Sequence, residues 1–308
     1  MKTLVTGVFA LDAYRRSALE ELGLELTFHK DERIPVETPE VFEAVICNGL
    51  FTFQDIADFS NLKYIQLTSA GFDRVPMDYI HAHGIGIRNA AGVYSVPMAE
   101  WTVLRLLELT KNASAMLDNQ RKAQWEKDRS WLELAGRTAC IIGFGAYGAE
   151  TAKRLKAFGM NVLAVNRSKK DSPFVDRWYS LDQLEDALSE ADAVILAIAL
   201  TDETRDLMNR EHLGKMKPGA VLINAARGGL VDEDALVEAL DGGILSGAAL
   251  DVFRTEPLPE NSPLWCHPRV LVSPHNSFVG DKNQTRLTNI VLNNLKAVIS
   301  DDRIHSGK

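Results

Sequence analysis

Thr138-Ala139-Cys140-Ile141-Ile142-Gly143-Phe144-Gly145-Ala146-Tyr147-Gly148-Ala149 is the stretch on which the fold turns. Residues 138–142 form a short apolar run of strand character, and residues 149–157 have helix-forming composition. Between them stands GxGxxG. In that setting Gly143 permits a tight turn, Gly145 lets a pyrophosphate approach the backbone, and Gly148 lets helix and strand pack closely. The phosphates then face the helix N-terminus, where backbone amides have no intrahelical acceptor. Among 21 glycines the bare pattern can arise by accident, so the strand before and the helix after carry the inference. The stretch implies a dinucleotide-binding unit whose loop is Gly143, Gly145, Ala146, Tyr147 and Gly148.

The next strand, expected over 161–165, bears on which dinucleotide is held. In an NAD-binding unit an Asp or Glu at its end bonds the ribose hydroxyls. Here the chain continues Asn166-Arg167-Ser168-Lys169-Lys170. With no acid, and with a guanidinium beside a hydroxyl, Asn166, Arg167 and Ser168 suit a 2′-phosphate held by charge-assisted hydrogen bonds. NADP(H) is favoured. The plainer reading is a solvated basic turn in a protein that also takes NAD(H).

Working outward, apolar runs at 193–197, 221–223, 248–250 and 270–272 continue the series with helical stretches between them. The first hundred residues repeat the alternation, with strand-like runs at 3–5, 24–28, 44–46 and 64–67. Strand alternating with helix is the pattern of a parallel sheet wrapped by helices. Between the two series, Trp101, Leu104, Leu107 and Met116 recur at roughly helical spacing within 97–117, which predicts one connector helix. The expected fold class is α/β: two doubly wound parallel-sheet domains, a Rossmann cofactor domain (99–278) inserted into a flavodoxin-like substrate domain (1–98 and 279–308). The polar tail after Ser300 is expected to fray or dock loosely.

Composition narrows the partners. The chain has 308 residues, is 46% apolar and carries a net charge of −8, with no long basic run. Nothing offers the electrostatic footprint that nucleic acid requires. Cys47, Cys140 and Cys266 lack metal-ligand or CxxC spacing and read as thiols in a reducing compartment. Lys2 precedes a mostly apolar stretch, but Asp12, Arg15 and Arg16 interrupt it before it can serve as a secretory core, and it reads as a first strand. No run of about 18 apolar residues occurs, so no membrane span is expected; no metal is expected either, and the location is expected to be cytoplasmic.

Further segments follow one another in a telling order: Thr68-Ser69-Ala70-Gly71-Phe72-Asp73; Asn89 with Gly92-Val93-Tyr94-Ser95-Val96-Pro97-Met98-Ala99-Glu100; Asn224-Ala225-Ala226-Arg227-Gly228-Gly229-Leu230-Val231-Asp232; Asp251-Val252-Phe253 with Glu256-Pro257; and Ser273-Pro274-His275. With the glycine loop they span about residues 64 to 280. This chain resembles the D-isomer-specific 2-hydroxyacid dehydrogenase family, which includes glyoxylate and hydroxypyruvate reductases and 3-phosphoglycerate dehydrogenases. The resemblance implies hydride transfer between NADP(H) or NAD(H) and a small 2-keto or 2-hydroxy acid.

Such a reaction needs a cation for the carboxylate and carbonyl oxygen, an acid that yields a proton, and a nicotinamide held against the carbonyl carbon. Arg227 follows the strand expected at 221–223, and its guanidinium can grip a carboxylate in two places. His275 follows the strand expected at 270–272 and is the proton donor that the resemblance implies. Glu256 resembles the carboxylate that orients that imidazole. Taken singly, these would be a surface turn, a loop histidine and an exposed charge before proline. By the same resemblance Ser69, Ala70 and Gly71 form a backbone nest for the substrate carboxylate, joined there by Arg227 and His275. Asp251 holds the nicotinamide carboxamide, or else caps a turn, while Thr201, Ala225, Ala226 and Arg227 border the cofactor. Leu200 replaces a proline often found beside Thr201, which weakens that contact, and Phe278 replaces a small apolar residue and is placed to limit substrate size.

The resemblance also implies an active site in the cleft between domains and a homodimer joined through cofactor domains. Trp125 and Trp131 are either that interface or ordinary core. Two other functions fit the same fold: a nicotinamide-sensing corepressor or scaffold, and a formate dehydrogenase-like enzyme. The intact Arg227, Glu256 and His275 set argues against the former, and no additional formate-site residues are evident for the latter.

Overall fold

A computed structural model describes residues 1–300; the expectation for the tail beyond Ser300 lies outside the described residues. The chain divides into two compact units, one formed by Met1–Val93 together with the segment from Gly280, the other by Tyr94–Val279.

The first unit holds β1 (Lys2–Thr6), α1 (Ala13–Glu20), β2 (Glu25–His29), β3 (Ala44–Cys47), β4 (Tyr64–Leu67), α2 (Met77–Ala82) and β5 (Gly86–Arg88). Its strands are parallel in the order β2-β1-β3-β4-β5, with Val5 opposite Ile46 and Cys47 opposite Leu67. Such an order places the switch of winding direction beside β1 and β3. Ala44-Val45-Ile46-Cys47 is buried at every residue, as expected of a central parallel strand covered on both faces. The Asp12 carboxylate accepts the Arg15 amide at 2.8 Å and so starts α1.

The second unit opens with α3 (Ser95–Thr110) and α4 (Ala113–Arg121). The single connector helix predicted for 97–117 is therefore two helices. Asn112 adopts a left-handed conformation, φ 48°, and donates its side-chain amide to Asp128 Oδ2 at 3.0 Å, so the helix breaks where its short polar side chain finds a partner outside. There follow β6 (Thr138–Ile142), α5 (Ala146–Ala157), β7 (Asn161–Val165), β8 (Arg177–Tyr179), α6 (Leu184–Glu190), β9 (Ala193–Leu196), α7 (Arg210–Lys215), β10 (Ala220–Asn224), α8 (Glu233–Asp241), β11 (Leu245–Leu250) and β12 (Val270–Val272). The sheet is parallel throughout, ordered β12-β11-β10-β9-β6-β7-β8. Alternate side chains of β6 enter different cores: Cys140 and Ile142 join one face, Ala139 and Ile141 the other. Ile141 and Ile142 are fully buried, a gain of roughly 1.5–3 kcal/mol each.

The last helix, α9 (Asn283–Ser300), belongs to the first unit. Leu287, Val291 and Leu295, spaced by one turn, are buried, and Thr288 accepts Arg15 Nε at 2.7 Å. Two strands escape sequence reading: β5 and β8 are three-residue edge strands, too short for a periodicity to register. No helix among the described residues is long and apolar enough to cross a membrane.

Candidate active site

In the second unit the glycine loop follows β6, Asn166 follows β7, Ala225-Ala226-Arg227 follow β10, Asp251 follows β11 and Ser273-Pro274-His275 follow β12. All stand at carboxyl ends of parallel strands. Because β6 pairs with β7 on one side and β9 on the other, the chain winds away in both directions from β6, which opens a crevice there.

The loop itself fits a dinucleotide. Gly143 has φ 92°, and a Cβ there would lie 2.5 Å from the Ala197 oxygen. A Cβ on Gly148 would meet the Gly143 oxygen at 2.4 Å, whereas one on Gly145 meets nothing within 4 Å. The outer glycines are thus required for packing, and the middle one faces open space at the start of α5, whose first turn has no side-chain cap. A cavity of about 470 Å³ adjoins this point, lined by Phe144, Gly145, Lys153, Lys170 and Phe174 among others.

Several residues expected at the cofactor turn their side chains elsewhere. Tyr147 is buried, and its hydroxyl lies 2.6 Å from the Thr102 hydroxyl on α3, so only its backbone faces the loop; burial pushes its phenol above the ordinary value. Asn166 accepts the Phe144 amide at 3.2 Å and donates to the Ser168 carbonyl at 2.8 Å, tying β7 to the glycine loop. The Thr201 hydroxyl pairs with Thr204 within its own turn. Arg167 and Ser168 are exposed. Lys170, without a separate role in the sequence reading, donates to the Phe144 carbonyl at 2.7 Å.

The reactive set is assembled by backbone contacts between distant segments. After β10, Asn224 accepts the Ala226 amide at 3.0 Å and donates to the Arg227 carbonyl at 2.9 Å, closing a tight loop over buried Ala225 and Ala226. Arg227 Nη1 donates to the Ala226 carbonyl at 2.8 Å. A Cβ on Gly228 would sit 1.9 Å from the Phe253 carbonyl carbon, so only glycine lets the Arg227 loop press against the backbone after β11. Glu256 lies three residues farther on. One of its oxygens accepts the Phe253 amide at 3.0 Å, and the other meets His275 Nδ1 at 2.7 Å. With Nδ1 donating to the carboxylate, Nε2 is the nitrogen left to face a substrate. Both side chains are 36% exposed.

His275 is held in a left-handed conformation, φ 49°. Its amide donates to the Asp251 carbonyl at 2.8 Å. Asp251 is fully buried, and both of its oxygens accept hydrogen bonds from the segment after β12, Oδ1 from the Ser273 hydroxyl and the Asn276 amide and Oδ2 from the Ser277 amide. Phe278 meets His275 edge-on, with ring centroids 5.9 Å apart, and Tyr94 likewise at 5.8 Å, giving the imidazole an aromatic wall. Trp125 and Trp131 are 94% and 45% exposed, which removes the core alternative for both.

In the first unit, the Ser69 carbonyl accepts the Ala90 amide at 2.8 Å, the Ala70 carbonyl accepts Asn89 Nδ2 at 2.6 Å and the Gly71 carbonyl accepts the Ser69 hydroxyl at 3.0 Å. The Ala70 and Gly71 amides have no acceptor among the described residues, so the loop presents donors with its carbonyls tied back, the form of an anion nest.

Residues 103–277 match the family model described as D-isomer specific 2-hydroxyacid dehydrogenase, NAD binding domain. The chain belongs to that family. This 2-hydroxyacid dehydrogenase is 36% identical over 250 residues to a glyoxylate reductase of Thermofilum pendens, covering 79% of this chain and 73% of the relative. Among solved structures it is similar to the D-lactate dehydrogenase of Aquifex aeolicus complexed with NAD and lactic acid (TM-score 0.81, 28% identity, 97% of this chain and 96% of that one). It is also similar to a D-isomer specific 2-hydroxyacid dehydrogenase of Xanthobacter autotrophicus in complex with NADPH (TM-score 0.78, 29% identity, 96% and 95% covered). The family is one of oxidoreductases, and relatives of both cofactor types share its fold.

Asn224 and Ser273 are among the motif members to which the sequence assigns no role. Both act by hydrogen bonding the backbone or carboxylate of a neighbour rather than by facing a ligand, which is why a motif alone does not disclose them.

Proposed function

We propose that this dehydrogenase reduces small 2-keto acids such as glyoxylate or hydroxypyruvate to D-2-hydroxy acids, using NADP(H) in preference to NAD(H), with His275 as general acid and base. The observation that carries this reading is the Glu256–His275 pair at 2.7 Å, which engages Nδ1 and leaves Nε2 for a substrate. Bound reduced nicotinamide supplies the hydride. Arg227 grips the substrate carboxylate and polarises its carbonyl; in the first unit the Ser69, Ala70 and Gly71 nest is built to receive a carboxylate of its own accord. His275 Nε2 delivers the proton to the carbonyl oxygen as it gains negative charge, and the Glu256 carboxylate keeps the ring in the required tautomer and orientation. In the oxidative direction the same nitrogen takes the hydroxyl proton.

The preference for NADP(H) is supported by exposed Arg167 and Ser168 at the end of β7, where no acid stands to repel a 2′-phosphate. A homodimer is supported by the apolar exposure of Leu104, Met116, Leu117, Trp125 and Trp131 in one stretch of the second unit; light scattering of the purified protein measures it, and a monomeric mass would end that part of the proposal. Initial rates with NADPH and NADH against a panel of 2-keto acids test the reaction. Oxidation of NADPH that falls about 10²–10⁴-fold in His275→Ala, with cofactor still bound, is expected; no turnover with any acid in the parent protein would favour a sensing role.

A further inference from the structure

Tyr64 and Gln66 are enclosed polar side chains of β4, and the chemistry described above uses neither. A side-chain amide withdrawn from water is costly unless its donors and acceptors are met. Here one connected set meets them. Gln66 Nε2 donates to the Leu67 carbonyl at 2.9 Å, which makes Oε1 the accepting end; that oxygen takes the Tyr64 hydroxyl at 2.9 Å and Asn294 Nδ2, from α9, at 3.0 Å. The same Asn294 nitrogen donates to the Asn89 carbonyl at 3.4 Å. Two oxygens stand before the Asn294 carboxamide, so its nitrogen is the end that faces them.

The set leads to the anion nest of the first unit. Asn89 Nδ2 donates to the Ala70 carbonyl at 2.6 Å and the Ala90 amide to the Ser69 carbonyl at 2.8 Å, so residues 89–93 brace the nest by tying its carbonyls back. Helix α9 holds this brace at both ends. Asn294 fixes it at Asn89, and Arg286, about two turns earlier, donates Nε to the Val93 carbonyl at 2.7 Å. Arg286 is steadied in turn by the Asn283 side-chain oxygen at 2.7 Å. Ala90 and Val93 are fully buried, so close packing keeps the brace in register while these bonds stand. Without the Asn294 donor, the Asn89 backbone loses its tie to α9, and the Ala70 carbonyl is freed to turn among the amides that receive an anion.

We propose that Asn294 is a positioning residue that sets, through Gln66 and Asn89, the affinity of the Ser69, Ala70 and Gly71 nest for the carboxylate of a 2-keto acid. The inference rests on the reading of that nest as a carboxylate receiver. Its consequence is a separation of effects: loosening the brace raises KM for the acid and leaves kcat at saturation and cofactor affinity alone. The expected size is about 5- to 10-fold, the fold-change of one ordinary hydrogen bond.

The test compares Asn294→Ala and Asn294→Asp with the parent protein, and uses Asn293→Ala, at the exposed neighbouring position of α9, as the control. Ala removes the donor; Asp keeps the size but sets an anionic oxygen against the Gln66 and Asn89 oxygens. Four quantities are read: KM and kcat for glyoxylate at saturating NADPH, the inhibition constant of oxalate, the NADPH dissociation constant by fluorescence titration, and hydrogen exchange of peptides covering Ala90 and, for reference, β1. Positioning predicts that KM and the oxalate constant rise together about 5- to 10-fold in Asn294→Ala and at least as much in Asn294→Asp. It also predicts kcat and the NADPH constant within twofold of the parent, exchange at Ala90 at least threefold faster with β1 unchanged, and parent-like behaviour of Asn293→Ala. A fall in kcat with KM and the oxalate constant kept overturns the proposal, as does exchange that quickens equally at Ala90 and β1, the mark of a merely structural role. The exchange measurement needs no turnover. If the parent protein reduces none of the acids offered, that result counts against the proposed reaction, and unchanged exchange at Ala90 in Asn294→Ala still overturns the brace.

Discussion

Replacing Glu256 by Gln isolates what its charge contributes, because size and one acceptor oxygen are kept. In the parent protein one oxygen accepts the Phe253 amide at 3.0 Å and the other the His275 Nδ1–H at 2.7 Å. Gln can satisfy only the first as before; its NH2 group then faces Nδ1, so the imidazole must offer a lone pair there and carry its proton on Nε2. That tautomer can still donate once, yet no anion remains to stabilise the cation formed when the ring is reprotonated. A charge-assisted hydrogen bond is worth about 1.5–3 kcal/mol, and with both side chains 36% exposed the lower part of that range applies, about 1.5–2 kcal/mol. At 1.36 kcal/mol per decade the expected fall in kcat is about 10- to 30-fold, less than for His275→Ala. The assay is steady-state oxidation of NADPH at saturating cofactor, paired with a thermal melt and a cofactor titration that should both match the parent. Turnover by Glu256→Gln within twofold of the parent would refute the argument that this carboxylate orients and stabilises the ring.

Gly228→Ala places a methyl 1.9 Å from the Phe253 carbonyl carbon, so one backbone must move by more than 1 Å; kcat/KM should fall about 10²-fold and stability by about 1–3 kcal/mol, seen together in rates and a urea titration, whereas parent-like rates would show that this contact does not set Arg227. Arg167→Ala should lower the ratio of kcat/KM for NADPH over NADH by about tenfold or more, the value of one charge-assisted bond to phosphate, and an unchanged ratio would mean that specificity lies elsewhere. At the edge of the second sheet the Asp176 carboxyl is held below its ordinary value, first by the Val162 amide at 2.7 Å and then by Lys156. Its contribution is therefore complete above 3.8 and is lost as pH falls through the lower folded value. Asp176→Asn should destabilise by about 1 kcal/mol at neutral pH, a figure already reduced for solvent screening, and by little in strong acid; equal losses in denaturant melts at both pH values would contradict this.

The sequence by itself determined the features that are local. Strand and helix alternate with a period visible in single segments, and the glycine fingerprint stands between a strand and a helix that are adjacent in sequence, so the doubly wound architecture was readable from residue types. The order of motifs likewise marked Arg227, Glu256 and His275. What only the tertiary structure decided are contacts between distant segments: Gly228 against the Phe253 backbone, the Glu256–His275 bond, and the Asp251 carboxylate closing on residues 273–277. The same holds for the break at Asn112, which depends on Asp128, and for the exposure of Trp125. Side-chain direction at a strand end depends on which strands lie beside it and in what register. That information is distributed over the whole sheet, so no single motif discloses it.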